Sequence, residues 1–279
     1  MIRRAAGQAG FSLVELMVAM TIGLVITMVI AEMFVGNKRT YTVQDENARM
    51  QENARFALSL LTRQIRMAGF KRSECASGTC FFDAANPVIT GQNDVDLNSS
   101  DRLSVQTFGS DNAAGAATDN SVVDCLGNGA RQTQRVNDTF YVAADAANSN
   151  EPTLFCIRAG DATGSALVPG VESMQILYGE DSDTADGLKA ADRYLRADDP
   201  SLQWDRVVSV RISMVFRSGE AASPSIDSRK YNHFGSQYSP GDAAPAGDAG
   251  AVFNSAGAAL DFKLRRIFQT TIALRNRVN

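Results

Sequence analysis

At 279 residues the chain has room for a membrane helix plus one sizeable soluble domain. A net charge of -4, with a pI near 5.1, leaves no basic footprint for nucleic acid. With 21% charged and 44% hydrophobic residues, the composition is that of a folded protein rather than a disordered one.

The chain opens with a ten-residue leader, Met1 to Gly10, carrying Arg3 and Arg4. From Phe11 an apolar run extends to about Val35, broken early by Glu15. At about 1.5 Å rise per residue, Phe11 to Ala31 alone is long enough to cross a ~30 Å hydrocarbon core. A charge inside such a segment costs about 2.5–3.5 kcal/mol and usually marks function. Near a helix N-terminus the cost is softened by unpaired N–H groups and the positive end of the macrodipole. If the chain is cut after Gly10, Phe11 gains a free ammonium one helical turn from Glu15, a counter-ion for its own chain or a neighbour. A removable secretory signal fits less well, because the run is longer than the 7–15 residues of an h-region and no small-x-small site follows it. An uncut signal anchor with a stray glutamate is the plainer alternative.

The sequence Gly10-Phe11-Ser12-Leu13-Val14-Glu15, behind a short basic leader and ahead of an apolar run, resembles the class III signal of type IV pilins and pseudopilins. The resemblance implies cleavage by prepilin peptidase between Gly10 and Phe11, N-methylation of Phe11, and an assembly role for Glu15. It also implies orientation, which Arg3 and Arg4 on one side and Lys38 and Arg39 on the other leave nearly balanced. The N-terminus is then cytoplasmic, with one pass through the inner membrane and the remainder in the periplasm.

Beyond the run, residues 37–68 contain neither Pro nor Gly. Met50, Ala54, Leu58, Leu61, Ile65 and Ala68 recur at spacings of three and four, the core-facing stripe of an amphipathic helix. Gly69 is a C-terminal stop. The chain therefore divides into a leader (1–10), a transmembrane and assembly half-helix (11–35), an amphipathic half-helix (36–70) and a β-rich domain (71–279). Residues 71–101 read as loop. Strands are expected at Arg102–Phe108, Thr139–Val142, Thr153–Ile157, Val171–Tyr178, Arg206–Arg217 and Phe262–Leu274. Residues 109–120 read as an exposed loop, and 218–257, rich in Ala, Gly, Ser, Pro and Asp, as a mobile surface loop. The fold class is α+β: one long N-terminal helix against an antiparallel sheet, as in type IV pilins.

Four cysteines, Cys75, Cys80, Cys125 and Cys156, suit two disulfides outside the cytoplasm. Three pairings are open, and sequence order favours Cys75–Cys80 with Cys125–Cys156. Asp181, Asp183 and Asp186 surround a glycine turn, with Asp192 eleven residues after Asp181, and so resemble a calcium loop. Ala185 and Asp186 stand where an EF-hand has a ligand and a glycine, so a solvated acidic turn is the plainer reading. No catalytic constellation emerges, since His233 is the only histidine and no nucleophile or phosphate-loop motif is present.

Later segments sharpen the resemblance. Glu172-Ser173-Met174-Gln175-Ile176-Leu177-Tyr178-Gly179, then Asp192-Arg193-Tyr194, then Arg206 to Ile212, and the ending Arg265 to Arg277 are similar to the PilW family of minor pilins. What this implies is a non-enzymatic protein of type IV pilus initiation and assembly, in a minor pilin complex at or near the pilus tip on the cell surface. Its implied partners are other minor pilins, the major pilin, prepilin peptidase, the inner-membrane assembly platform, a tip adhesin and the lipid bilayer. A J-type minor pseudopilin of type II secretion and a membrane-anchored periplasmic enzyme or receptor are the alternatives.

Overall fold

The computed structural model describes residues 10–72, 81–83, 86–183, 189–235, 251–253 and 261–276. Its helix α1 (Leu13–Met67) contributes to two compact units, residues 1–45 and residues 46–279.

In the first unit α1 carries a strongly apolar 18-residue window, none of it buried, and Glu32, Lys38 and Arg39 follow toward its end. Phe11 is 88% exposed and Phe34 71%. Its threonines do not conflict with an apolar setting, because each hydroxyl donates to a carbonyl of its own helix. Thr21 Oγ1 reaches the Val18 carbonyl and Thr27 Oγ1 the Leu24 carbonyl, both at 2.9 Å. Every backbone group inside the helix is likewise satisfied within it, as a membrane span requires.

In the second unit Met50, Ala54, Ala57, Leu61 and Ile65 line the buried stripe of α1. Leu58, expected on that stripe, packs at its margin, and Ala57 takes the central place. Gly69 adopts φ +74°, a left-handed value that favours glycine, and a Cβ on it would meet Val88 Cγ1 at 2.8 Å. The freed Ala68 carbonyl accepts from Asn276 Nδ2 at 2.9 Å, so the last described residue of the chain caps the helix.

Among the described residues the strands form two antiparallel sheets. The first runs β1 (Ile89–Asp96), β2 (Ser100–Phe108), β3 (Arg135–Asp145), β4 (Glu151–Arg158) and β5 (Ser165–Pro169), in spatial order. The second contains β6 (Val171–Glu180), β7 (Arg193–Leu195), β8 (Val207–Arg217) and β9 (Arg265–Ala273), in the order β7-β6-β8-β9. All six expected strands are present. The strands β1, β5 and β7 are additional. β1 falls in the stretch read as loop because Gly91, Asn93 and Asp94 give it no alternating pattern. Gly91 is required there: a Cβ would lie 1.9 Å from the Tyr178 hydroxyl.

The two sheets share one core with the helix. Leu103, Phe140 and Leu154 come from the first sheet, and Met174, Ile176, Tyr178, Ile212 and Phe216 from the second. A polar seam joins them. β7 pairs with β6 only at Tyr178, Gly179 and Glu180, which leaves the rest of that β6 edge open. The corner between β1 and β2 fills the gap with side chains. Ser100 Oγ accepts from Met174 N at 3.1 Å and Asp101 Oδ2 from Ile176 N at 2.7 Å, while Asn98 Nδ2 donates to the Glu172 carbonyl at 2.7 Å. Asp101 Oδ1 also accepts from Asp94 N at 2.9 Å.

Part of the stretch expected to be mobile is instead packed. Tyr231 and His233 are buried, and Gln269 Nε2 donates to the His233 carbonyl. Small polar residues conceal this in the sequence, because the packing is carried by two aromatic side chains among them. Residues 236–250 and 254–260 lie outside the described residues.

Candidate functional site

The N-terminus of α1 is built by Ser12 and Glu15. Ser12 precedes the first helical residue, and its Oγ accepts from Val14 N at 3.3 Å. Glu15 occupies the third helical position, and its Oε2 accepts from Ser12 N at 3.1 Å. The two form a reciprocal capping box. Glu15 is therefore satisfied within its own chain, next to Gly10 and Phe11. The Ser-x-x-Glu spacing that signals this box is readable in the sequence, and the unpaired N–H groups expected to soften the charge of Glu15 include Ser12 N.

Cys125 and Cys156 are joined by a disulfide across 31 residues, one end in the loop before β3 and the other on β4. Cys75 and Cys80 lie outside the described residues. Asp138 of β3 sits beside the bond and accepts from Cys125 N at 2.8 Å through Oδ2. Burial, reinforced by the charge of Asp124, pushes the Asp138 carboxyl up to about 7. Nearby, Arg158 pairs with Asp124 at 2.9 Å and Asp161 at 2.8 Å around a cavity of about 190 Å³. Both carboxyls are held low, Asp124 against its own burial and Asp161 chiefly by the Arg158 hydrogen bond. Acids fixed in their charged form by one arginine are poor proton donors.

The acidic turn follows β6. One carboxylate oxygen each from Asp181, Asp183 and Asp192 lies within 4.8 Å of the others, while Asp186 lies outside the described residues. Asp192 Oδ2 accepts from Ser182 N at 2.7 Å, Ser182 Oγ at 3.0 Å and Asp183 N at 3.2 Å. The hydrogen bonds from Ser182 hold its carboxyl below the usual range. Asp181 is 2% exposed, and its Oδ1 has no hydrogen-bond partner.

His233 lies between two hydroxyls, Ser173 Oγ on Nε2 and Ser213 Oγ on Nδ1, each at 3.0 Å. A serine beside an imidazole is the start of a nucleophile-base pair. Here Ser173 and Ser213 are 1% and 0% exposed, so no substrate reaches either oxygen. The imidazole fastens its segment to β6 and β8.

The chain matches two family descriptions. Residues 6–31 match the prokaryotic N-terminal methylation motif, and residues 139–276 match type IV pilus-assembly protein W. Among curated proteins none is significantly similar to the chain. Among solved structures, a type IV-like pilin from Thermus thermophilus is similar at TM-score 0.46 and 9% identity, over 83% of this chain and 98% of that one. A chain of the GspK-GspI-GspJ complex of the enterotoxigenic Escherichia coli type 2 secretion system is similar at TM-score 0.31 and 12% identity, over 61% and 88%. Neither likeness is close enough to weigh on what this chain does. The pilus-assembly match over residues 139–276 and the methylation motif at residues 6–31 together identify the chain as a PilW-like minor pilin of type IV pilus assembly.

Proposed function

We propose that this minor pilin acts at initiation, as part of a complex of minor pilins at or near the pilus tip, and that it has no catalytic role. Prepilin peptidase cuts between Gly10 and Phe11, and Phe11 is then methylated. The protein waits in the inner membrane with residues 46–279 in the periplasm, and the assembly platform moves it into the fibre. Its partners there are other minor pilins, the major pilin below and a tip adhesin above.

The observation that carries this reading is the apolar half of α1, its large hydrophobic side chains exposed, with Glu15 in a capping box at its start and Glu32 near its far end. Such a surface is stable in lipid or against other apolar helices and not in water. Moving from bilayer to bundle keeps that area dry throughout. Glu15 is the group for which the two settings differ. In the membrane its charge sits near the interface; in a bundle that water has left, it needs a cation, and the ammonium of a neighbour's Phe11 supplies one.

The capping box separates this role from a local one. Glu15→Gln keeps an acceptor for Ser12 N and removes the charge; Glu15→Ala removes both. Both variants are expected to insert in the membrane and lose their leader. If the charge matters, both lower pilus number at equal protein level, about equally. Wild-type piliation by the glutamine variant would leave the cap as the only function of Glu15. Mass spectrometry of the mature protein should give a methylated N-terminus at Phe11.

A further inference from the structure

The residues that follow β6 are not used by helix assembly, yet they carry a buried charge without a partner. Asp181 is 2% exposed and its Oδ1 meets no hydrogen-bond donor. Its backbone is fixed, since Asp181 N donates to the Arg206 carbonyl at 3.1 Å. The nearby cationic side chains are engaged elsewhere. Arg193 pairs with Glu180 at 3.1 Å, and Arg206 Nη1 lies 3.5 Å from the Ser182 carbonyl. A buried carboxylate in this state wants a cation.

We infer that Asp181, Asp183 and Asp192 bind one calcium ion. Their three oxygens lie within 4.8 Å of one another. Two oxygens on the same calcium, each at about 2.3–2.6 Å, are at most about 5 Å apart, so all three fit one coordination sphere. Asp192 is already oriented: Oδ2 is held by Ser182 and Asp183, which leaves Oδ1 to the metal. The same bonds keep it ionised. Three carboxylates are hard oxygen donors, and calcium completes its six to eight ligands from water and carbonyls without a strict geometry; magnesium requires a near-ideal octahedron. Bound metal would tie the end of β6 to the residue before β7 and neutralise Asp181.

The test uses the full chain in detergent, stripped with a chelator and titrated with calcium chloride in a calorimeter. One saturable site is expected, with Kd of about 10⁻⁴–10⁻³ M and a rise in melting temperature. Asp183→Asn should weaken binding at least tenfold, on the order of one lost charged ligand. Asp181→Asn should abolish it while leaving the metal-free protein at least as stable, because a buried charge has been removed. Trp204 is the only tryptophan, and it opens the turn Trp204–Arg206 whose last carbonyl holds Asp181 N. Terbium emission excited through Trp204 should therefore appear, and calcium should quench it by displacement. No heat and no melting shift at 10 mM calcium (roughly ten times the weakest expected Kd) would overturn the site. So would an equal calcium response in both variants, or binding without terbium emission. An equal response to magnesium would overturn the assignment to calcium.

Discussion

Burying Asp138 and Asp101 gives the unit of residues 46–279 a dependence on pH opposite to that of most carboxylate-rich proteins. Burial pushes both carboxyls from 3.8 to about 7. Between about pH 4 and 7 the folded chain holds two protons that the unfolded chain has released, so stability falls as pH rises through that window. Each group contributes about 1.4 kcal/mol per pH unit, with a ceiling of about 4 kcal/mol for the full shift. Even a quarter of that ceiling moves the melting temperature of a domain this size by roughly 2–4 °C. Groups of the opposite sign set the acid limit. Asp227 is held at about 2 by Arg229 and Tyr231 against its burial, and its contribution is lost only as pH falls through that value. The melting temperature of the full chain should therefore peak near pH 4–5 and decline toward pH 8. Asp138→Asn keeps an acceptor for Cys125 N and cannot ionise. It should match the wild type near pH 4.5, exceed it at pH 8, and remove about half of the slope. A flat wild-type profile between pH 5 and 8, or an unchanged slope in the variant, would refute the reasoning.

Two further outcomes follow from the same unit. Replacing Cys125 and Cys156 by alanine should cost about 3–4 kcal/mol for a loop of 31 residues, read as a lower denaturant midpoint, and reductant should then have no further effect through this pair. Arg265 is 1% exposed and grips Glu172 with two hydrogen bonds, 2.6 and 3.0 Å. Arg265→Met should cost about 3–5 kcal/mol, because it leaves Glu172 only Arg217 at 3.7 Å and takes the partner from Asp261, whereas the double variant with Glu172→Gln should lose less; additive losses would show that the pair is not coupled.

Most of the architecture was legible because it is written in periodicity. The apolar run, the stripe from Met50 to Ala68 and the alternation of Arg206–Arg217 each have one physical interpretation, and each became the expected element. The strands that escaped notice are those whose partners, not their patterns, make them strands. β1 is held by β2 and by the fit of Gly91 under Tyr178, and β7 is three residues long. The division into two sheets was not legible either. It depends on Ser100 and Asp101 meeting the open edge of β6 from some 75 residues away, a contact with no local signature. At the candidate sites, residue types were readable but surroundings were not. Nothing in the sequence distinguishes buried Asp181 from exposed Asp183, or marks Asp138 as the acid beside the disulfide.

Four of the described carboxylates are accommodated in different ways. Glu15 accepts from the backbone of its own helix end, at no cost in cations but only where a helix begins. Glu172 has Arg265, so it should be sensitive to loss of that arginine. Asp101 has two backbone N–H groups and no full counter-charge, so it takes a proton near neutrality. Asp181 has no donor on Oδ1, and the calcium ion we propose would take that place. The four are thus separable by perturbation: Glu15 by glutamine substitution, Glu172 by its partner, Asp101 by pH and Asp181 by calcium. A condition that moves one without the others identifies which accommodation it acts on.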